Sequence, residues 1–216
     1  ADLARTRDDL YTEYIGLLNL QGRHKEAYRL IMEHKFHPWE GGEGKITMQY
    51  RTALIEMAKE RMANSDMKTA EEYLKQAMVY PYNLGEGKLE GVSDNDIYYY
   101  LGVISSQRGD SDTARKMWEK GTKGLGEIAG MMYYNDQPAD MIYYQGKCYE
   151  ALGDAKTAAT LYNRLLEYGE THMFDEVRID YFAVSLPDLQ LFDEDLTRKN
   201  KVHCHYLLAL GYMGLD

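Results

Sequence analysis

Along most of the chain, apolar residues recur three and four positions apart, the spacing that lays one stripe along an α-helix. The stretch from Tyr98 to Lys123 shows it well. Leu101-Gly102 lies on one striped segment, Gly109-Asp110 interrupts, and Ala114 and Trp118 lie on a second segment. From Ile142 to Leu166 the same order returns: Gly146 and Tyr149, then Gly153-Asp154, then Ala158 and Tyr162. Each striped segment predicts a helix, and each Gly-Asp predicts the turn between two. Glycine accepts the positive φ that stops one helix. Asp110, Asp112 and Asp154 can cap or charge the start of the next.

The unit repeats. Gly22, Ser65, Gly109 and Gly153 mark equivalent turn points at spacings of 43, 44 and 44. Five residues after each comes an alanine: Ala27, Ala70, Ala114 and Ala158. Four residues later comes a bulky side chain: Ile31, Leu74, Trp118 and Tyr162. Seven residues before each turn point stand Ile15, Ala58, Gly102 and Gly146, three of them small. A small residue lets two helices approach, and a large one a turn later fills the groove beside it.

These residues resemble the tetratricopeptide repeat, over roughly residues 8–170 and a half repeat at the end. The period departs from the usual unit of about 34 residues, so each unit carries a longer connection. The resemblance implies an all-α fold: an α-solenoid, wound as a right-handed superhelix, of helical hairpins with long inter-repeat loops and no β-sheet. Residues 1–170 are expected to form four helical pairs. Residues 171–196 are expected to form an irregular segment with short helical turns, and 197–216 a closing helix that starts a further repeat.

The connections repeat too. Pro38-Trp39-Glu40-Gly41-Gly42-Glu43-Gly44-Lys45 matches Pro81-Tyr82-Asn83-Leu84-Gly85-Glu86-Gly87-Lys88 at an offset of 43. A third connection, Gly124–Pro138, has similar size but no matching register. The first helices that follow agree as well: Asp96, Tyr99, Tyr100 and Gly102 correspond to Asp140, Tyr143, Tyr144 and Gly146. The two glycine-rich segments, with Asp180-Tyr181-Phe182-Ala183-Val184-Ser185-Leu186-Pro187-Asp188, look similar to a bacterial family of unknown function. In that family a β-rich, mutarotase-like domain precedes a helical repeat region. The resemblance implies a helical C-terminal part and a carbohydrate-related setting, with no catalytic residue to carry over.

Composition narrows the partners. Of the 216 residues, 44% are hydrophobic and 28% charged, as in an ordinary globular chain. The net charge of −10 opposes nucleic acid and anionic membrane surfaces, which need basic faces. No apolar run reaches the 18 or so residues of a membrane helix, and the N-terminus has no signal-peptide core. Both ends read as cuts in a longer protein, and the location expected is the cytoplasm. Cys148 and Cys204 sit inside apolar helical patterns and read as buried free thiols. The twenty tyrosines are unusual, and they suit both helix packing and ligand contact.

Catalytic motifs are incomplete. Gly-Glu-Gly-Lys lacks the early glycine of a phosphate loop, where Trp39 and Tyr82 stand. It also lacks the following Ser or Thr, where Ile46 and Leu89 stand. Gly124-x-Gly126-x-x-Ala129 follows a helix and not a strand, so it makes a poor dinucleotide fingerprint. In His203-Cys204-His205 the two histidines point about 200° apart on a helix and cannot share a metal. His34 and His37 flank a helix end, where a cation suits the C-terminal dipole. Glu40, Glu43 and Glu86 read as solvated loop acids rather than a glycosidase pair. No cofactor and no metal is expected, and no catalysis by this chain alone.

Two binding faces are expected instead. The first helices place Ile55, Lys59, Tyr99, Tyr143, Lys147 and Glu150 on an inner groove. The matching loops place Trp39, Glu43, Lys45, Tyr82, Glu86 and Lys88 along one edge. The functional expectation is a docking module for a peptide segment or an upstream domain of the same protein. The alternative is an accessory helical domain of a carbohydrate-active enzyme, with the loops bordering its catalytic site; a structural spacer is a third reading.

Overall fold

The computed structural model describes residues 6–39, 41–128, 137–177 and 195–216. All of the regular structure among them is helical: α1 (Asp8–Leu20), α2 (His24–Met32), α3 (Lys45–Ala63), α4 (Met67–Ala77), α5 (Asn95–Gln107), α6 (Ser111–Gly121), α7 (Asp140–Ala151), α8 (Ala155–His172) and α9 (Leu196–Leu215). A single 3-10 turn, Tyr82–Leu84, lies after α4. Consecutive helices pack as hairpins: α1 on α2, α3 on α4, α5 on α6, and α7 on α8. The chain divides into two compact units, one holding α1 to α4 and the other α5 to α9. The segment Asp180–Asp188, Glu40, and most of the third connection lie outside the described residues.

All four hairpins turn by one device. Gly22, Ser65, Gly109 and Gly153 have φ of 73, 61, 79 and 89°, in the left-handed region. The residue after each donates its backbone N–H to a carbonyl five residues back: Arg23 to Leu18, Asp66 to Arg61, Asp110 to Ser105, and Asp154 to Tyr149, at 2.9–3.0 Å. These six-to-one bonds close the first helix on carbonyls that would otherwise lack donors. Asp66, Asp110 and Asp154 then accept from the backbone N–H of Thr69, Thr113 and Thr157 and so open the second helix. The first hairpin has Arg23 there, without a side-chain cap.

Packing follows the small-and-large alternation. Ala27, Ala70, Ala114 and Ala158 are all buried, as are Ile15, Ala58, Gly102 and Gly146. A Cβ on Gly102 would overlap the Trp118 indole, and one on Gly146 would overlap the Tyr162 ring. The indole N–H of Trp118 donates to the Tyr99 carbonyl at 3.3 Å, which fixes the ring over Gly102. In the second unit α9 covers α8. Gly211 and Gly214 let it approach Leu166 and Tyr162, and Leu207 joins Ala139, Ile142, Leu161 and Leu165 in the core.

Asparagines close three of the second helices. Asn83 donates to Ile31 and His34 carbonyls after α2. Asn95 donates to Gly121 and Lys123 after α6, and Asn200 to His172 at the end of α8. His34 and His37 follow the end of α2, and both meet the Asp8 carboxylate, at 2.7 Å from His34 Nε2 and 3.2 Å from His37 Nδ1; the same carboxylate accepts the His37 backbone N–H at 2.7 Å. Cys148 and Cys204 are free and buried, and burial pushes the Cys148 thiol up to about 12.

Candidate binding site

α5 and α7 are the first helices of consecutive hairpins and pack side by side. Each carries a tyrosine pair one turn from its start, so the packing brings four phenols together. Ring centroids lie 5.2 Å apart for Tyr99 and Tyr100, and 5.4 Å apart for Tyr143 and Tyr144. Between the helices, Tyr144 stands 6.0 Å from Tyr99 and 5.8 Å from Tyr100. The Tyr100 and Tyr144 hydroxyls meet at 3.5 Å. Edge-to-face and tilted rings at such separations attract by about 0.5–1.5 kcal/mol beyond their burial.

Lys147 lies one turn beyond Tyr143 and donates to the Glu150 carboxylate three residues on. Burial alone would lower the Lys147 pKa. The Glu150 hydrogen bond and charge outweigh it, helped by the Tyr99 and Tyr143 phenols, so the net direction is upward. Burial raises Tyr99, Tyr143 and Tyr144 above the usual phenol value. Lys147 therefore stays charged near neutrality and the tyrosines stay neutral. The face offers ring surface, fixed hydroxyls and one ion pair, not a group that exchanges a proton at pH 7.

The structure gathers Tyr99, Tyr143, Lys147 and Glu150 on this face. It also brings in Tyr100, Tyr144 and Tyr162, which the sequence reading left out of the site; the recurring Tyr-Tyr pair at an offset of 44 carried the signal for the first two. Ile55 and Lys59 belong to α3, in the other unit. Ile55 is only 8% exposed and packs in its own core, and Lys59 pairs with Glu56 at 2.7 Å.

The matching loops meet within the first unit. The Phe36 N–H donates to the Asn83 carbonyl at 2.8 Å, and the Gly44 N–H donates to Glu86 Oε2 at 2.8 Å. Their backbones differ despite the shared residues. Gly41 and Gly44 take positive φ in the first loop, whereas Gly85 does so in the second. Lys45 opens α3 at once, but Lys88 turns back to the Met78 carbonyl at the end of α4. Trp39 folds over Gly42, while Tyr82 is 90% exposed. Glu43 is exposed; Glu86 is half-buried, and burial raises its pKa. No three His, Cys, Asp or Glu among the described residues are arranged to hold a metal ion. None of the described helices is long and apolar enough to cross a membrane.

No solved structure is a significant match to the chain. Residues 140–168, which span α7 and most of α8, match the family model of the tetratricopeptide repeat. That hairpin carries the Tyr143, Tyr144 and Lys147–Glu150 half of the face; the match covers this one hairpin, and the regular structure among the described residues is helical throughout.

Proposed function

We propose that this protein is a docking module that holds a peptide segment against the tyrosine-lined face of α5 and α7. Tetratricopeptide repeats generally mediate protein–protein interaction, which supports the coarse reading. One observation carries the finer one: the half-buried Lys147–Glu150 pair sits beside four tyrosines on adjacent first helices. Rigid aromatic side chains supply contact area at low conformational cost, and polar groups of both signs supply orientation. The same reading takes the hairpins as turns of a right-handed solenoid whose first helices line a groove. Its occupant is a segment of another protein or of a domain joined to this one.

A phage-displayed random peptide library tests the proposal. Wild-type protein should enrich a defined set of peptides, and the Tyr99→Ala/Tyr143→Ala variant should fail to retain them. No enrichment, or equal retention by the folded variant, would overturn it.

A second reading rests on Tyr82. A tyrosine ring 90% exposed on a glycine-rich loop, next in the sequence to the Asn83 that ties this loop to the one carrying Trp39, suits stacking on a sugar face. In that reading the loops border the catalytic domain of a carbohydrate-active enzyme. A glycan array that finds a ligand lost on Tyr82→Ala would favour it over the peptide.

A further inference from the structure

α9 carries two apolar stripes, and the fold uses one. On the inner side Leu207 enters the core and Gly211 approaches Leu166 of α8. On the opposite side Val202 and Met213 are 63% and 62% exposed, Tyr206 is 47% exposed, and Ala209 is exposed as well. These four follow one another at spacings of four, three and four residues. That spacing keeps them on one narrow strip of the helix, as in the seam of a coiled coil. The Tyr206 hydroxyl donates to Asp140 Oδ2 at 3.5 Å, which steadies the ring. Single exposed apolar residues are ordinary, but a contiguous strip marks a contact surface.

The strip is complementary to itself. A two-fold axis across the helix, level with the Leu207–Leu208 peptide, lays a second α9 antiparallel on the first. Tyr206 of one copy then faces Ala209 of the other, a large side chain against a small one, and Val202 faces Met213. The same rotation sets Lys199 opposite Asp216 at both ends of the strip, and it opposes the two helix dipoles. A parallel pair would put Tyr206 on Tyr206 and crowd Arg198 and Lys199 of both copies together. We propose that α9 is a self-association surface through which two copies of this chain form an antiparallel, two-fold symmetric dimer. Every contact then occurs twice, as an isologous interface requires. One helix per partner buries less than the roughly 1,200 Å² of a standard interface, so the dimer is reversible, with a dissociation constant on the order of 100 µM. The proposal does not rest on the docking reading above.

Sedimentation equilibrium of the 216-residue chain, from about 10 to about 500 µM, tests it. Wild type should pass from monomer to dimer across that range. Val202→Glu changes an exposed position, so it should leave the melting temperature unchanged and weaken the dimer at least about tenfold. Lys199→Glu alone or Asp216→Lys alone should weaken it about threefold or more. The double exchange Lys199→Glu/Asp216→Lys should return to within about twofold of wild type, because the antiparallel register sets these positions face to face. Wild type that stays monomeric at about 500 µM would overturn the proposal and leave the strip to a different partner. A dimer that Val202→Glu leaves intact would place the association elsewhere and overturn it too. A double exchange that fails to restore the dimer would overturn the antiparallel pairing.

Discussion

The Tyr162 ring stands so close to the backbone of Gly146 that a methyl group there would overlap it. Trp118 stands over Gly102 in the same way, one repeat earlier. Each ring belongs to a second helix and each glycine to the first helix of the same hairpin, so the pair sets how closely the two helices approach. The other hairpins use Ile31 with Ile15, and Leu74 with Ala58, at the same places. The two hairpins with an aromatic ring on the second helix have glycine opposite it.

Gly146→Ala should therefore destabilise. In an exposed helix interior, alanine gains about 1 kcal/mol over glycine. Here that gain meets the overlap with a ring held on its other side by Gly214, and overpacking a tight core costs about 1–3 kcal/mol. The net expectation in urea denaturation is a loss of up to about 2 kcal/mol. A gain in stability would show that the ring can move aside.

Ser65→Gly should stabilise. Ser65 is the single non-glycine residue with positive φ among those described. A left-handed conformation costs an L residue about 1–2 kcal/mol, whereas glycine loses about 0.5–1 kcal/mol of extra backbone entropy on folding. The difference leaves a gain of up to about 1.5 kcal/mol. Thermal and urea unfolding of the variant check it, and a loss of stability would mean that the serine side chain supports the turn.

The hairpin caps make stability fall with acid. Asp66, Asp110 and Asp154 are held below the usual carboxylate value, first by hydrogen bonds from the Thr69, Thr113 and Thr157 side chains and then by those residues' backbone N–H groups. A depressed folded value means stability that is fully present above the unfolded value of about 3.9 and is lost as pH falls through the folded one. The triple variant Asp66→Asn/Asp110→Asn/Asp154→Asn keeps neutral caps that do not titrate. Its melting temperature should fall less than that of wild type between pH 5 and pH 2.5. Parallel curves for the two proteins would remove these caps from the acid response.

Glu86 has the opposite sign. Burial raises its pKa and outweighs the Gly44 N–H, which lowers it; the Glu43 charge adds to the rise. A raised folded value favours the protonated form, so that stability is present below about 4.3 and lost as pH rises. Glu86→Gln keeps a carbonyl for the Gly44 N–H and carries no charge. It should melt higher than wild type at pH 7 and equally at pH 3.5. A lower melting temperature at pH 7 would show that the carboxylate is needed as an anion.

The turn points, the buried alanines and the small-and-large pairs were all legible in the sequence. Each is a local demand on one residue, for φ or for volume, repeated at a fixed interval. The loop conformations were not legible. Pro38–Lys45 and Pro81–Lys88 share residues, yet their positive φ falls at different glycines, because the first loop feeds a helix at Lys45 and the second runs on to Asn95. The tyrosine face was half legible. Tyr99, Tyr143, Lys147 and Glu150 follow from helical spacing on first helices. Tyr162 does not, since its role depends on where the far end of a second-helix ring arrives after crossing Gly146. The Asp66 cap was legible as well, since Asp66 follows the turn point Ser65 as Asp110 and Asp154 follow theirs, but the sequence reading did not name it. The pairing of His34 and His37 with Asp8 joins residues too distant in sequence for any local rule.

The central claim is that a peptide docks on α5 and α7, and its footprint tests that claim most directly. Amide hydrogen exchange, measured with and without a peptide selected from the displayed library, reports which segments the peptide protects. Protection should concentrate on residues 95–107 and 140–151, and should vanish in the Tyr99→Ala/Tyr143→Ala variant. Protection confined to residues 38–45 and 81–88, or unchanged in that variant, would contradict the claim and move the binding site to the glycine-rich loops.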